Sequence, residues 1–294
     1  MRYLLTSILL CLFMTSTSFA QSSCCASNAS PTLAFAGFSN QAAFIAGHLP
    51  PEPLNYEPKI GKMVSLKTDD GKEVAIFEVK SGQSMGKVIL LFHEWWGLND
   101  YIKREAEELF MQTGATVIAM DLYEGKVTAN PEEAAKLMQS VKEERARSII
   151  RAGIEYAGKF GKVQTIGWCM GGGWSLQASI LAGEKGYGCV IYYGMPENDP
   201  AKLQQLAGPV LGIYGKQDAW ITPALVDFFD KNMKANQKAF TFYMYEADHA
   251  FANPSNPKYN KEATAKARTL VVEFLKKNFE TPLRKPAPGD AKQE

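Results

Sequence analysis

The chain has 294 residues, 46% hydrophobic and 21% charged, with a formal net charge of +1. That length supports one large or two small domains and excludes a disulfide-stapled mini-protein, and the ordinary composition excludes collagen, coiled coil and multi-span transporter. There is no basic excess to neutralise phosphates and no basic apolar helix for a membrane surface, so nucleic acid and membrane are excluded as partners in favour of a small neutral or mildly polar ligand.

Met1 and Arg2 give a positive start, Tyr3 to Met14 is mostly apolar, and Ser18-Phe19-Ala20 closes in a small-x-small pattern. The run is short for a membrane span and is followed by polar Thr15 to Ser18. Residues 1–20 are therefore expected to be a signal peptide cleaved after Ala20, leaving an exported, periplasmic protein with no membrane attachment. Cys11 leaves with that segment. Cys24, Cys25, Cys169 and Cys189 remain, too few in so long a chain for a disulfide framework. Adjacent Cys24 and Cys25 are able to oxidise, bind a soft metal or join another chain, and Cys189 reads as a small buried side chain within a strand.

Residues 21–59 are rich in Ser, Ala, Asn and Pro, with apolar words (Leu33 to Phe38, Ala42 to Ala46) too short for a domain. They are expected to form an N-terminal extension packed on the body. The body spans residues 60–279, and residues 280–294 form a flexible tail with almost nothing to bury. Strands are expected at Met63 to Thr68, Glu73 to Val79, Lys87 to His93, Ala115 to Asp121, Val163 to Trp168, Tyr187 to Tyr193, Pro209 to Tyr214 and Ala239 to Tyr245. Asp69-Asp70-Gly71 joins the first two as a hairpin. Helices are expected at Asp100 to Gln112, Pro131 to Gly158, Gly172 to Ala182, Pro223 to Ala235 and near Tyr259 to Asn278. Strands separated by helices require crossovers, so the class is α/β, a mainly parallel eight-stranded sheet with helices on both faces. In such sheets function gathers at the carboxyl ends of the strands.

After the strand ending at Trp168 comes Gly167-Trp168-Cys169-Met170-Gly171, then Gly172, Gly173 and a helix. This is the G-x-nucleophile-x-G elbow with cysteine in place of serine; small flanking residues are required because the strand turns sharply into the helix. The turn sets Cys169 at a helix start, whose amides favour a thiolate. A P-loop is excluded because Trp174 follows Gly173 where Lys and Ser or Thr would be required. Of the three histidines, His48, His93 and His249, only His249 follows the last strand and precedes the last helix. Asp218, in Gly215-Lys216-Gln217-Asp218 after the preceding strand, supplies an orienting acid. The chain order nucleophile, acid, histidine makes Cys169, Asp218 and His249 the expected catalytic triad. The segment His93 to Asn99 should arch over the same edge and offer a backbone donor for an oxyanion hole beside the amide of Met170. Within it Glu94 is either functional or a cap or ion-pair partner for the following helix.

Taken together, His93 to Asn99, Asp121-Leu122-Tyr123, Gly167 to Gly172, Tyr192-Tyr193-Gly194, Gly215 to Asp218 and Asp248-His249-Ala250-Phe251 resemble the dienelactone hydrolase family of α/β-hydrolases over about residues 60 to 278. The extension Ala34 to Pro58 resembles that of exported members. The resemblance implies the α/β-hydrolase fold, a Cys169, Asp218, His249 triad, an oxyanion hole from the amides of Trp95 and Met170, and hydrolysis of esters or lactones through a thioester. It also implies that Glu94 holds the resting thiol and helps release a reactive thiolate. Three positions depart from the family. Glu124, Gly125 and Lys126 follow Tyr123 where an arginine grips the substrate carboxylate, Ala250 replaces a serine, and Asn253 stands where a second arginine would come. Lys126 lacks the bidentate fork of an arginine.

The expectation is a carboxylic ester hydrolase for a small ester or lactone, requiring no cofactor or metal and working as a monomer. Tyr123, Tyr193, Trp220 and Phe251, with Trp95 and Trp96, either wall its pocket or belong to the core. The alternatives are a thiol-redox protein using Cys169 and a ligand-binding protein on an inactive hydrolase scaffold.

Overall fold

The computed structural model describes residues 30–80, 82 and 86–282. The expected signal peptide, Cys11, Cys24, Cys25 and all of the tail beyond 282 lie outside the described residues. Eight strands form one sheet: β1 Lys62–Lys67, β2 Glu73–Val79, β3 Gly86–Phe92, β4 Thr116–Met120, β5 Gly161–Trp168, β6 Gly186–Tyr192, β7 Val210–Gly215 and β8 Phe240–Tyr245. Their order is β1-β2-β4-β3-β5-β6-β7-β8. β1 and β2 pair antiparallel, β2 runs antiparallel to β4, and the remaining pairs are parallel. This is the expected α/β-hydrolase fold.

The hairpin turn is closed by the Thr68 amide donating to the Lys72 carbonyl (2.8 Å), with Gly71 at φ 81°. The central strands β3 to β6 are covered on both sides. They accordingly read as unbroken apolar runs such as Val88-Ile89-Leu90-Leu91-Phe92, every residue of which is fully buried.

The helices are α1 Pro31–Gly37, α2 Ala42–Gly47, α3 Asp100–Thr113, α4 Pro131–Ser140, α5 Glu143–Gly158, α6 Met170–Ala182, α7 Pro200–Leu203, α8 Pro223–Ala235 and α9 Lys261–Glu280. α5 and α6 pack together in one layer against the sheet, and α3 packs with α9 in the other. Polar caps define several starts. Asn99 accepts from the Ile102 amide, Asn130 from Glu133, Thr222 from Leu225 and Asn260 from Ala263.

Two expectations change. The single helix expected over Pro131 to Gly158 is two, because Ser140 Oγ donates to the Leu137 carbonyl (2.7 Å) and Val141 and Lys142 turn extended. No glycine or proline marks that break. The apolar words of the extension are the helices α1 and α2, with Ser30 capping the first.

Beyond α2 the chain is fastened to the body by Asp100 and Tyr101, which bond Tyr56 and Glu52, and most extensively by one buried carboxylate. Glu107 of α3 accepts the amides of Lys59 (3.2 Å), Ile60 (2.6 Å) and Gly61 (2.7 Å) and the hydroxyl of Tyr56. Burial opposes its charge, but the Gly61 amide, the Tyr56 hydroxyl and the other amides outweigh it and hold the carboxyl below its ordinary range. The contribution of Glu107 to stability is therefore complete above the unfolded carboxylate range and is lost as pH falls through the lowered folded value.

Replacing Glu107 by Gln, which puts an amide donor against backbone donors, is expected to cost about 2–4 kcal/mol at neutral pH. Urea unfolding at pH 7 and pH 3 measures this, and the difference between wild type and Glu107→Gln should shrink at the lower pH. Equal stability at pH 7 would show that the anchor contributes nothing.

Candidate active site

The turn at Cys169 is first a steric solution. Cys169 sits at φ 57°, ψ −121°, a backbone region that non-glycine residues rarely occupy. Its amide donates to the Tyr192 carbonyl (3.0 Å), and its own carbonyl accepts from Gly172 (3.0 Å), so both neighbours hold the strained residue in place. A Cβ on Gly167 would run into the Gly171 carbonyl, and one on Gly171 would run into the carbonyls of Phe92 and His93. The glycines thus let the elbow lie directly against the end of β3, the segment that continues into Glu94 and Trp95.

The three expected catalytic side chains come together at the carboxyl ends of β5, β7 and β8. Cys169 Sγ lies 3.4 Å from His249 Nε2, and His249 Nδ1 lies 2.7 Å from Asp218 Oδ2. The other Asp218 oxygen accepts the amides of Trp220 (2.8 Å) and Ile221 (2.9 Å), which fixes the carboxylate in its turn. All three are buried, at 1% exposure for Cys169, 3% for Asp218 and 5% for His249. Burial raises the Cys169 thiol above its ordinary range, opposed by His249 and by the Met170 amide. For His249, burial disfavours the imidazolium, but Asp218 and the Cys169 sulfur outweigh it and hold the pKa well above the ordinary value. For Asp218, burial is outweighed by His249 and the two turn amides, so the carboxyl is held low. The arrangement can take a proton from sulfur and pass it to a leaving group.

The amide of Met170, the first residue of α6, favours the charged form of the Cys169 sulfur. Trp95 is buried in the turn after β3. Glu94 departs from its expected role. One of its oxygens accepts the Tyr193 hydroxyl (3.1 Å) and the other the Asn253 side-chain amide, so the resting thiol is held by His249 rather than by Glu94. Burial pushes Glu94 up to about 7, against the hydrogen bond of Tyr193, the attraction of His249 and the hydrogen bond of Asn253.

The expected pocket aromatics divide. Tyr193 stands edge-on to His249 (5.1 Å between ring centres), Tyr123 directs its hydroxyl at Met170 Sδ (3.4 Å), and Trp220 follows the Asp218 turn. Phe251 packs between Tyr193 and Tyr245, as core. Trp96 lines a neighbouring pocket with Glu94, Trp168 and Asn253. Lys126 is exposed on another pocket with Lys72 and Arg145. Cys189 is buried in β6 beside Ser175 and, like Cys169, is a free thiol. His93 ties the loop after β3 together, with Nδ1 on the Glu94 carbonyl (2.6 Å) and Nε2 accepting from the Leu122 amide (3.1 Å).

Sequence reasoning missed the contribution of the extension. Phe44 of α2 and His48 after it pack on Trp95, and Phe38 and Phe44 pack on Trp220. Phe35 and His48 lie 6.2 and 5.4 Å from the His249 ring. Burial, then the charge of His249, lower His48 to about 3, so it is neutral beside His249. The spacing of Phe44 and His48, four apart on one helical face, was the signal available.

Comparison with known proteins identifies the relatives of the chain. Carboxymethylenebutenolidase from Pseudomonas putida is 26% identical over 228 residues, covering 72% of this chain and 94% of that protein. Carboxymethylenebutenolidase 1 from Cupriavidus pinatubonensis is 23% identical, covering 72% of this chain and 95% of that protein. A dienelactone hydrolase-like promiscuous phosphotriesterase from metagenomic libraries shares the fold at a TM-score of 0.66 and 18% identity, covering 74% of this chain and 99% of that one. The family model for dienelactone hydrolases matches residues 74–279, from β2 to the end of α9, and the chain belongs to the dienelactone hydrolase family.

Proposed function

We propose that the protein is a carboxylic ester hydrolase that cleaves small, uncharged esters or lactones through a thioester on Cys169. The observation that carries this reading is the hydrogen-bonded series Cys169 Sγ, His249 Nε2 and Nδ1, Asp218 Oδ2 at one sheet edge. The names of the carboxymethylenebutenolidase relatives support the same class of substrate.

In the first half-reaction His249 takes the thiol proton as sulfur attacks the carbonyl carbon, and the amides of Trp95 and Met170 receive the oxyanion. Collapse of the tetrahedral intermediate breaks the acyl–oxygen bond, and the leaving oxygen takes the proton from His249. Water then gives a proton to His249 and attacks the thioester, and collapse returns the thiol and releases the carboxylic acid. Asp218 keeps His249 in the tautomer that faces the sulfur throughout. The preference for uncharged substrates rests on the missing arginine after Tyr123 and on the apolar cover of Phe35, Phe38, Phe44 and Trp220. Because Cys169 is 1% exposed, a substrate displaces part of that cover on its way to the sulfur.

Turnover of p-nitrophenyl acetate and simple lactones is expected to fall by about four orders of magnitude in Cys169→Ala and His249→Ala, and by about 10³–10⁴-fold in Asp218→Asn. Intact mass should show an acyl adduct on wild type and none on Cys169→Ala. No turnover and no adduct with a reduced Cys169 would favour the redox or binding alternatives.

Glu94 is assigned control of the thiol by charge. It is neutral below about 7 and ionised above, and in the ionised form it raises Cys169 further. Glu94→Gln is therefore expected to move the midpoint of Cys169 alkylation by iodoacetamide to lower pH and to speed alkylation above pH 7, with the two proteins converging below it. Identical profiles would remove Glu94 from control of the thiol.

Export is part of the same reading, with residues 1–20 as a signal peptide. Mass spectrometry of the secreted protein should find Gln21 as the first residue, and a retained Met1 would overturn the assignment.

A further inference from the structure

Two histidines and a cysteine converge where the proposed hydrolysis uses only one histidine. One ligand atom from each of His48, Cys169 and His249 lies within 4.8 Å of the others, and all three residues are buried. The two imidazoles are held in the same manner. His48 Nδ1 lies 2.7 Å from the Phe44 carbonyl, one helical turn earlier, and His249 Nδ1 lies 2.7 Å from the Asp218 carboxylate. A carbonyl can only accept, so the His48 proton is on Nδ1 and its Nε2 carries a lone pair. Among the described residues that Nε2 is buried without a hydrogen-bond partner. Histidines whose Nδ1 is tied to a carbonyl or carboxylate, leaving Nε2 to bond, are oriented as metal ligands are oriented.

We propose that Cys169, His48 and His249 form a binding site for one thiophilic cation of the zinc(II) type, whose occupancy shuts off the nucleophile. A thiolate and two imidazoles suit zinc and select against magnesium and calcium, which require oxygen ligands. Three protein ligands leave the fourth tetrahedral position to water. The metal–sulfur bond forms as the thiol proton leaves to solvent, with no change of oxidation state. Because the cation takes the sulfur and the Nε2 of His249, metal binding and acyl transfer exclude each other. The triad alone supplies two of the ligands. The third comes from the extension, so the site exists only where α2 is folded against the body. The inhibition rests on the hydrolase reading above, whereas the binding does not.

The test uses the full chain carrying Cys11→Ser, Cys24→Ser and Cys25→Ser, so that the N-terminal thiols do not compete, with cobalt(II) as a spectroscopic probe and zinc(II) as competitor. One equivalent of cobalt is expected to give a thiolate-to-metal charge-transfer band that zinc abolishes. Cys169→Ser should lose the band, and His48→Gln should bind both metals at least about tenfold more weakly, since disturbing even outer-shell partners costs that much. Thermal melting of each variant verifies that it is folded. Absence of the band at excess cobalt, its survival in Cys169→Ser, or unchanged affinity in His48→Gln would overturn the site. In parallel, zinc is expected to stop ester turnover and a chelator to restore it, with the half-inhibitory concentration raised about tenfold or more in His48→Gln. If the metal-free chain hydrolyses no ester, the hydrolase reading fails while the cobalt spectra still decide the metal site.

Discussion

The strained backbone at Cys169 is the constraint from which the site is built. A residue with a side chain at φ 57° requires its neighbours to over-determine it. Here β6 does so through the Tyr192 carbonyl, and the first turn of α6 does so through Gly172. Relaxing the dihedral would swing the sulfur away from the carboxyl edge, where β7 and β8 deliver Asp218 and His249. The same turn requires bare backbone at Gly167 and Gly171, and that bareness lets the end of β3 approach the elbow. The position of Trp95 relative to Cys169 therefore depends on the turn that positions Cys169 itself.

Around this frame the decisive electrostatic fact is burial. In a site that excludes water every ionisable group is pushed towards its neutral form unless a partner opposes it. Asp218 has its partners in His249 and two amides and stays ionised, and its charge in turn holds His249 high. Glu94 has only neutral donors, Tyr193 and Asn253, at its two oxygens. The Asn253 position is where the family resemblance places an arginine. A guanidinium there would favour the Glu94 carboxylate, whereas an amide leaves burial to dominate, and the group titrates near neutrality. An asparagine at this position thus leaves a carboxyl beside the Cys169 turn that titrates near neutrality.

What was legible in the sequence follows from how locally it is encoded. Fully buried strands announce themselves as apolar runs, and every expected strand lies within a residue or two of its observed limits. The meeting of Cys169, Asp218 and His249 at one sheet edge was readable because a strand, a glycine-flanked residue and a helix form one local word, and because Asp218 and His249 each follow a strand. The break between α4 and α5 was not, since a serine bonding its own helix carbonyl leaves no glycine or proline in the text. Asn253 read only as a missing arginine, because the carboxylate it meets is 159 positions away.

The approach of the extension to the site was the largest omission, and the reason is physical. Helices of seven and six residues carry little periodicity and have little stability of their own; they persist because a tertiary surface receives them. Phe35 and Phe44 are almost fully buried against a body whose own sequence gives no hint of needing cover. The hydrogen bond from His48 to the Phe44 carbonyl exists only while that turn is helical, so the placement of the imidazole beside Cys169 is coupled to the folding of the segment. Glu107 fixes the other end through three backbone amides, which holds the chain between α2 and β1 on the body. A chain begun at residue 60 would keep the sheet and the triad. It would lack an imidazole, three phenylalanines and the cover that raises the thiol, and so would present a different site on the same fold.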